Sequence, residues 1–87
     1  MFLRSRRKAA VTHSEDDDIQ RELGKLFLDL NQPANAVRYC QKAQKLQSDD
    51  QANWICLVRG MRAAGDPNAE VVLQQAPPEV RAAMSRN

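Results

Sequence analysis

A short stretch of this chain is written twice. Leu23-Gly24-Lys25-Leu26-Phe27 is followed by Asn31-Gln32-Pro33-Ala34 and then by Asn35-Ala36-Val37-Arg38-Tyr39-Cys40-Gln41-Lys42-Ala43. Further on, Trp54-Ile55-Cys56-Leu57-Val58 and Met61 are followed by Gly65-Asp66-Pro67 and then by Asn68-Ala69-Glu70-Val71-Val72-Leu73-Gln74-Gln75-Ala76. With one residue dropped after Pro33, NAVRYCQKA lies on NAEVVLQQA. A period of about 34 residues with helical apolar spacing predicts stacked helix pairs. Such arrays bury a core only between neighbours and usually bind other proteins.

The spacing predicts an all-α chain. Ile19, Leu23, Leu26, Phe27 and Leu30 recur at three and four residues, which puts them on one face of a first helix ending near Leu30. Ser14 is the expected cap, and the acids Glu15, Asp16, Asp17 and Asp18 would sit at the positive end of the helix dipole. That accounts for the acidic run as capping and solvation. A metal site there has no ligand spacing to support it. Pro33 opens a second helix with Ala36, Val37, Cys40, Ala43 and Leu46 on one face. Ser48-Asp49-Asp50-Gln51 reads as a capping box for a third, presenting Trp54, Leu57, Val58 and Met61. Gly65 ends it, Asp66 caps and Pro67 opens a short fourth helix, which Pro77-Pro78 stops. A last turn or two from Glu79 to Met84, with Val80, Ala83 and Met84 inward, would seal the open end of the stack. The domain reading is therefore a basic flexible tail over 1–13 and a helical domain over 14–87. Within it lie a first repeat at 17–47, a second at 51–76 and a cap at 78–86.

The residues quoted above resemble the tetratricopeptide-repeat family. Leu23, Gly24 and Phe27 match its first-helix positions, and Ala36 and Ala43 its small second-helix positions. Trp54 and Leu57, with Ala69 and Ala76, match again in the second copy. Cys40 stands where an aromatic is usual, Val58 replaces the second glycine, and Asp49 and Asp50 stand near an expected proline. The resemblance covers residues 17–76. It implies two antiparallel helix-hairpin repeats in a right-handed α-solenoid, with a short C-terminal capping helix.

In that family the binding surface is the concave face, lined mainly by first helices. Carried across, its inward positions are Asp18, Arg21, Lys25, Leu28 and Asp29, then Ala52, Ile55, Arg59, Arg62 and Ala63. Arg21, Lys25, Leu28, Ile55, Arg59 and Arg62 would form an apolar groove with cationic posts. Arg21 and Lys25 are four apart and Arg59 and Arg62 three apart, so each pair shares a helical face. Such a groove suits another protein's helix or extended peptide carrying acidic side chains or a C-terminal carboxylate. The competing reading is that these cations are simply solvated. The lysine–asparagine clamp that some members use for chaperone tails is not matched. Short members of this kind include type III secretion chaperones, and a small helical secretion subunit or co-chaperone is the specific partner expected, in the cytoplasm. Two repeats are fewer than usually close a core, so self-association or a partner is expected to cover what remains.

Composition narrows the alternatives. The net charge is +2, but Arg4, Arg6, Arg7 and Lys8 take four of the 13 basic residues, leaving nine against 11 acids. The folded part is slightly acidic, which disfavours a nucleic-acid surface beyond non-specific contacts of the tail with phosphates or an anionic membrane. The tail has some features of a mitochondrial presequence, but the acidic run follows at once, so a solvated basic arm is the better reading. No apolar run approaches the length of a membrane span. His13 is the only histidine and lies in the tail. No nucleophile pairing, zinc spacing or phosphate loop occurs, so no enzyme, metal or cofactor is expected. Cys40 and Cys56 each fall on an apolar face and are expected to be reduced, buried, small hydrophobes. A structural assembly subunit is the alternative to the chaperone or adaptor reading.

Overall fold

The computed structural model describes residues 16–85; the expected basic tail over 1–13 and the Ser14 cap lie outside them. Among the described residues there are five helices and no strand: α1 Asp17–Asp29, α2 Pro33–Leu46, α3 Gln51–Ala63, α4 Ala69–Gln75 and α5 Pro78–Ser85. None is long and apolar enough to cross a membrane. α1 packs on α2, α2 on α3 and α1 also on α3, while α3 carries α4 and α5 on its other side.

The starts and exits of α1 and α3 recur at the same spacing along the chain. α1 and α3 each have 13 residues, and the start of α3 at Gln51 lies one period after that of α1 at Asp17. Asp16 caps α1 by accepting from the Asp18 N–H at 2.9 Å. Asp50, at the equivalent place in the second copy, caps α3 by accepting from the Ala52 N–H at 3.0 Å. Both helices also end alike. After α1, Asn31 takes a left-handed conformation (φ 59°), its N–H donates to the Leu28 carbonyl, and the Gln32 N–H donates to Phe27. After α3, Gly65 takes φ 74°, its N–H donates to Arg62, and the Asp66 N–H donates to Met61. Each is the pair of reverse bonds that closes a helix with a residue of positive φ just past its end. The prolines that follow, Pro33 and Pro67, are again one period apart.

The third helix is capped by Asp50 rather than by the expected Ser48. Ser and Asp cap equally well, so local chemistry does not choose between them. The Ser48 main-chain carbonyl accepts from the Trp54 indole N–H at 2.6 Å. Likewise Asp16 is the N-cap of α1. Asp66 does not cap α4 directly but accepts from the Asn68 N–H at 2.9 Å, in the turn before the helix.

The core forms two clusters. Cys40, Cys56, Leu57, Met61 and Ala69 fill the space between the hairpins, with Val37 and Val72 against them. Val58, Leu73, Ala76, Val80 and Met84 bind α3 to α4 and α5, with half-buried Trp54 alongside. The C-terminal helix packs on α3 and α4 through buried Val80 and Met84.

α1 departs from its expected inward face. Its buried residues are Asp17, Gln20 and Gly24, whereas Leu26 and Leu30 are 49% and 54% exposed. Phe27 is half-buried and stacks on Tyr39, ring centroids 5.4 Å apart. Periodicity locates an apolar stripe, but α1 lies at the edge of the helices among the described residues. α2 and α3 approach it on the side where glycine leaves room, not where leucines are densest.

The cysteines also depart from expectation. Both are buried, but they are joined: a disulfide links Cys40 of α2 to Cys56 of α3, with Cα atoms 5.4 Å apart. The expected pair of reduced thiols is replaced by a crosslink between the hairpins. A 3.6-residue pattern identifies each cysteine as inward, but only the packing of α2 on α3 makes them face each other.

Candidate functional site

The side of α1 and α3 that bears the cavities begins at a buried polar knot. Asn53 is fully buried, an expensive position for an amide unless every polar atom is matched. Its Nδ2 donates to Asp17 Oδ2 at 2.9 Å, to the Ala43 carbonyl at 3.1 Å and to the Gln47 carbonyl at 3.0 Å. Its Oδ1 accepts from Arg21 Nη1 at 2.8 Å. One side chain thus ties the start of α1, the end of α2 and the start of α3. Sequence reasoning does not single it out; a polar residue at an inward helical position is the signal that was available.

Arg21 belongs to the same knot. Its Nη2 donates to Asp18 Oδ1 at 2.8 Å, and its Nη1 lies 3.8 Å from Asp17 and 3.6 Å from Asp50. Three carboxylates and an amide surround one guanidinium whose side chain is only 16% exposed. Arg21 is therefore a wall of the concave surface whose charge is already matched within the fold. The acidic run has the same explanation. Asp16, Asp17 and Asp18 lie within 4.8 Å of one another, but they cap α1, bind Asn53 and pair with Arg21, respectively.

Beyond the knot the surface opens into two adjoining cavities. The smaller, about 160 Å³, is lined by Arg21, Lys25, Leu28, Ala52, Ile55, Cys56 and Arg59. The larger, about 530 Å³, has Lys25, Leu28, Asp29, Arg59, Arg62 and Met84 around it. Lys25, Leu28 and Arg59 belong to both, so the two form one groove across α1 and α3, with α5 contributing a wall. All six residues expected on the basis of the resemblance, Arg21, Lys25, Leu28, Ile55, Arg59 and Arg62, border it. Asp29 and Ala52 join them, whereas Asp18 turns to Arg21 and the outer side of α1. Met84 is not foreseen as a groove residue, because its place depends on how α5 folds back over α3.

The groove's cations are not equivalent. Lys25 lies 3.5 Å from Glu22, with both side chains more than half exposed. Arg62 donates to both carboxylate oxygens of Glu70, at 3.0 and 3.2 Å, also in solvent. Exposed pairs of this kind contribute little and exchange readily for another carboxylate. Arg59 is exposed and makes no ion pair among the described residues. Together they place exchangeable positive charge around the apolar patch of Leu28, Ile55 and Met84. The arrangement can hold an apolar side chain and orient carboxylates around it.

Comparison with protein-family models, with curated proteins and with solved structures gave no match.

Proposed function

We propose that this chain is a tetratricopeptide-like interaction module whose groove takes an acidic segment of another protein. The observation that carries the reading is the convergence of Lys25, Arg59 and Arg62 on one cavity with Leu28 and Met84. The recurrence of both helix ends one period apart supports a repeat architecture of this kind. An amphipathic helix would seat an apolar residue against Leu28 and Ile55 and direct acids one turn away toward the cations. The function is that of a small chaperone or adaptor for a secretion or assembly subunit.

The test uses a double charge reversal, Lys25→Glu with Arg59→Glu, in a pull-down and in titration with a fluorescent amphipathic peptide bearing glutamates. Binding should weaken at least about tenfold, roughly 1.4 kcal/mol, with helicity unchanged. Equal binding by the double variant would refute the groove. Arg21→Glu is not a useful probe, because it would set a fourth carboxylate among Asp17, Asp18 and Asp50 and break the knot.

The disulfide bears on location. Such bonds persist in oxidising compartments, and in the cytosol they are usually transient or redox-sensing. A cytoplasmic site of action therefore requires the Cys40–Cys56 pair to cycle.

A second reading, a structural subunit of a larger assembly, is favoured by one observation: the exposed Leu26 and Leu30 on the open edge of α1. Leu26→Lys with Leu30→Lys should then abolish incorporation into the assembly while leaving peptide binding intact.

A further inference from the structure

Three helices meet at one point in this fold, and the point is the disulfide. Cys40 comes from α2, Cys56 from α3, and Gly24 of α1 is pressed onto both. A Cβ at Gly24 would overlap Cys40 Sγ outright and come within 3.1 Å of Cys56 Sγ and 3.2 Å of the Cys40 backbone nitrogen. Cys40 is fully buried and Cys56 3% exposed. Cys56 Sγ also lies 3.8 Å from the Arg21 carbonyl of α1, and Cys56 is among the residues that line the smaller cavity. With no side chain at Gly24, the backbone of α1 closes down on the bonded pair. Two separate thiols need a van der Waals gap between them, longer than a covalent bond, and carry two extra hydrogens. The third side of that space is the backbone of α1, which has no side chain at Gly24 to move aside.

We propose that the Cys40–Cys56 bond is a redox latch that keeps α1 seated on α2 and α3, and with it one wall of the groove. A dithiol reductant supplies the two electrons. Its thiolate attacks Cys56 Sγ from the cavity, the S–S bond breaks, and Cys40 leaves as a thiolate that takes a proton. The reductant's second thiol then displaces Cys56 as a thiol, and the reductant departs as its own disulfide. The separated sulfurs push against Gly24 and release α1. The wall carrying Lys25 and Leu28 is then no longer held against the one carrying Ile55 and Arg59, so the groove is a property of the oxidised chain. Its consequence for binding rests on the groove reading above; the movement of α1 does not.

Hydrogen exchange on the whole chain tests the movement without any partner. The oxidised protein is compared with the same protein in dithiothreitol, bond status being confirmed by intact mass. Amides of α1 from Arg21 to Asp29 should exchange at least tenfold faster on reduction, with those of α3 and α5 changing less than threefold. An unchanged α1 would overturn the latch. So would equal acceleration of all helices, which would make the bond a general staple. A chain that keeps two free thiols in an oxidising glutathione buffer would overturn it too. The double variant Cys40→Ala with Cys56→Ala removes both the bond and the crowding. Its α1 should stay protected relative to its own α3 and be indifferent to dithiothreitol; an α1 as exposed as in the reduced wild type would rule out sulfur crowding as the cause. The glutamate-bearing peptide, titrated against both redox states, separates the two ideas: if α1 responds but the oxidised chain binds no peptide, the groove reading fails and the latch stands.

Discussion

The hairpins α1–α2 and α3–α4 begin from the same local instructions and pack differently. Their first helices have equal length, the same aspartate cap and the same left-handed exit. Inside, the matched positions diverge. Gly24 corresponds to Val58 one period on, and Cys40 corresponds to Leu73 in the aligned second helices. The first hairpin combines no side chain with a crosslinked sulfur; the second combines two branched apolar side chains, in a cluster closed by Val80 and Met84. The first hairpin therefore closes by backbone approach at Gly24 and is tied to α3 by the Cys40–Cys56 bond and the Asn53 knot, whereas the second packs by ordinary apolar burial. Repeats can share a backbone frame while solving the packing problem with different chemistry, provided the volume between helices is filled.

The polar knot gives the largest test of that contrast. Asn53→Ala should lower unfolding free energy by about 4 kcal/mol, because it strips partners from buried Asp17 and from two buried carbonyls. Chemical denaturation would show it, and a loss below about 1 kcal/mol would mean the knot is not what joins the hairpins. Next comes an exchange of the matched residues. Gly24→Val should cost about 3 kcal/mol by forcing a side chain into the disulfide. Val58→Ala should cost about 2 kcal/mol, from lost burial and a small cavity. If both hairpins tolerate valine at the matched position, their packing is not distinct.

Replacing both cysteines by alanine should cost about 2–3 kcal/mol, since the bond closes a 16-residue separation in the unfolded chain. Thermal melting with and without reductant should then coincide for that variant and differ for the wild type. The caps are expected to differ modestly. Asp16→Ala should cost about 1 kcal/mol and Asp50→Ala somewhat more, because Asp50 also faces Arg21 at 3.6 Å. Equal losses would show that the Arg21 contact adds nothing. Glu70→Ala, which removes only an exposed partner of Arg62, should change stability by less than about 0.5 kcal/mol.

Much of this molecule is legible in the chain. The helices among the described residues, the breaks at Pro33, Gly65 and Pro77-Pro78, and the inward Ala36, Cys40, Ala43, Leu57, Val58 and Met61 all follow from spacing and turn chemistry, which act within a few residues. Lys25, Leu28, Arg59 and Arg62 are expected to line a groove from a family resemblance, and the structure gathers them around one cavity. Other features are out of reach of the sequence because they depend on which surfaces meet. Arg21 reads as a groove cation until Asp17, Asp18 and Asp50 are found around it. Leu26 and Leu30 read as core until α1 proves to be an edge helix.

Local chemistry along the chain set the helix breaks and placed the helix starts to within a few residues, because caps, prolines and left-handed exits act over a few residues. It took the packed fold to bring Cys40 to Cys56, to seat Gly24 of α1 on their bond, to link three helices through Asn53 and to make Met84 a wall of the groove. Each of these is a contact between residues distant in the chain. Its geometry is fixed by helix packing, which periodicity constrains to a face but not to a partner.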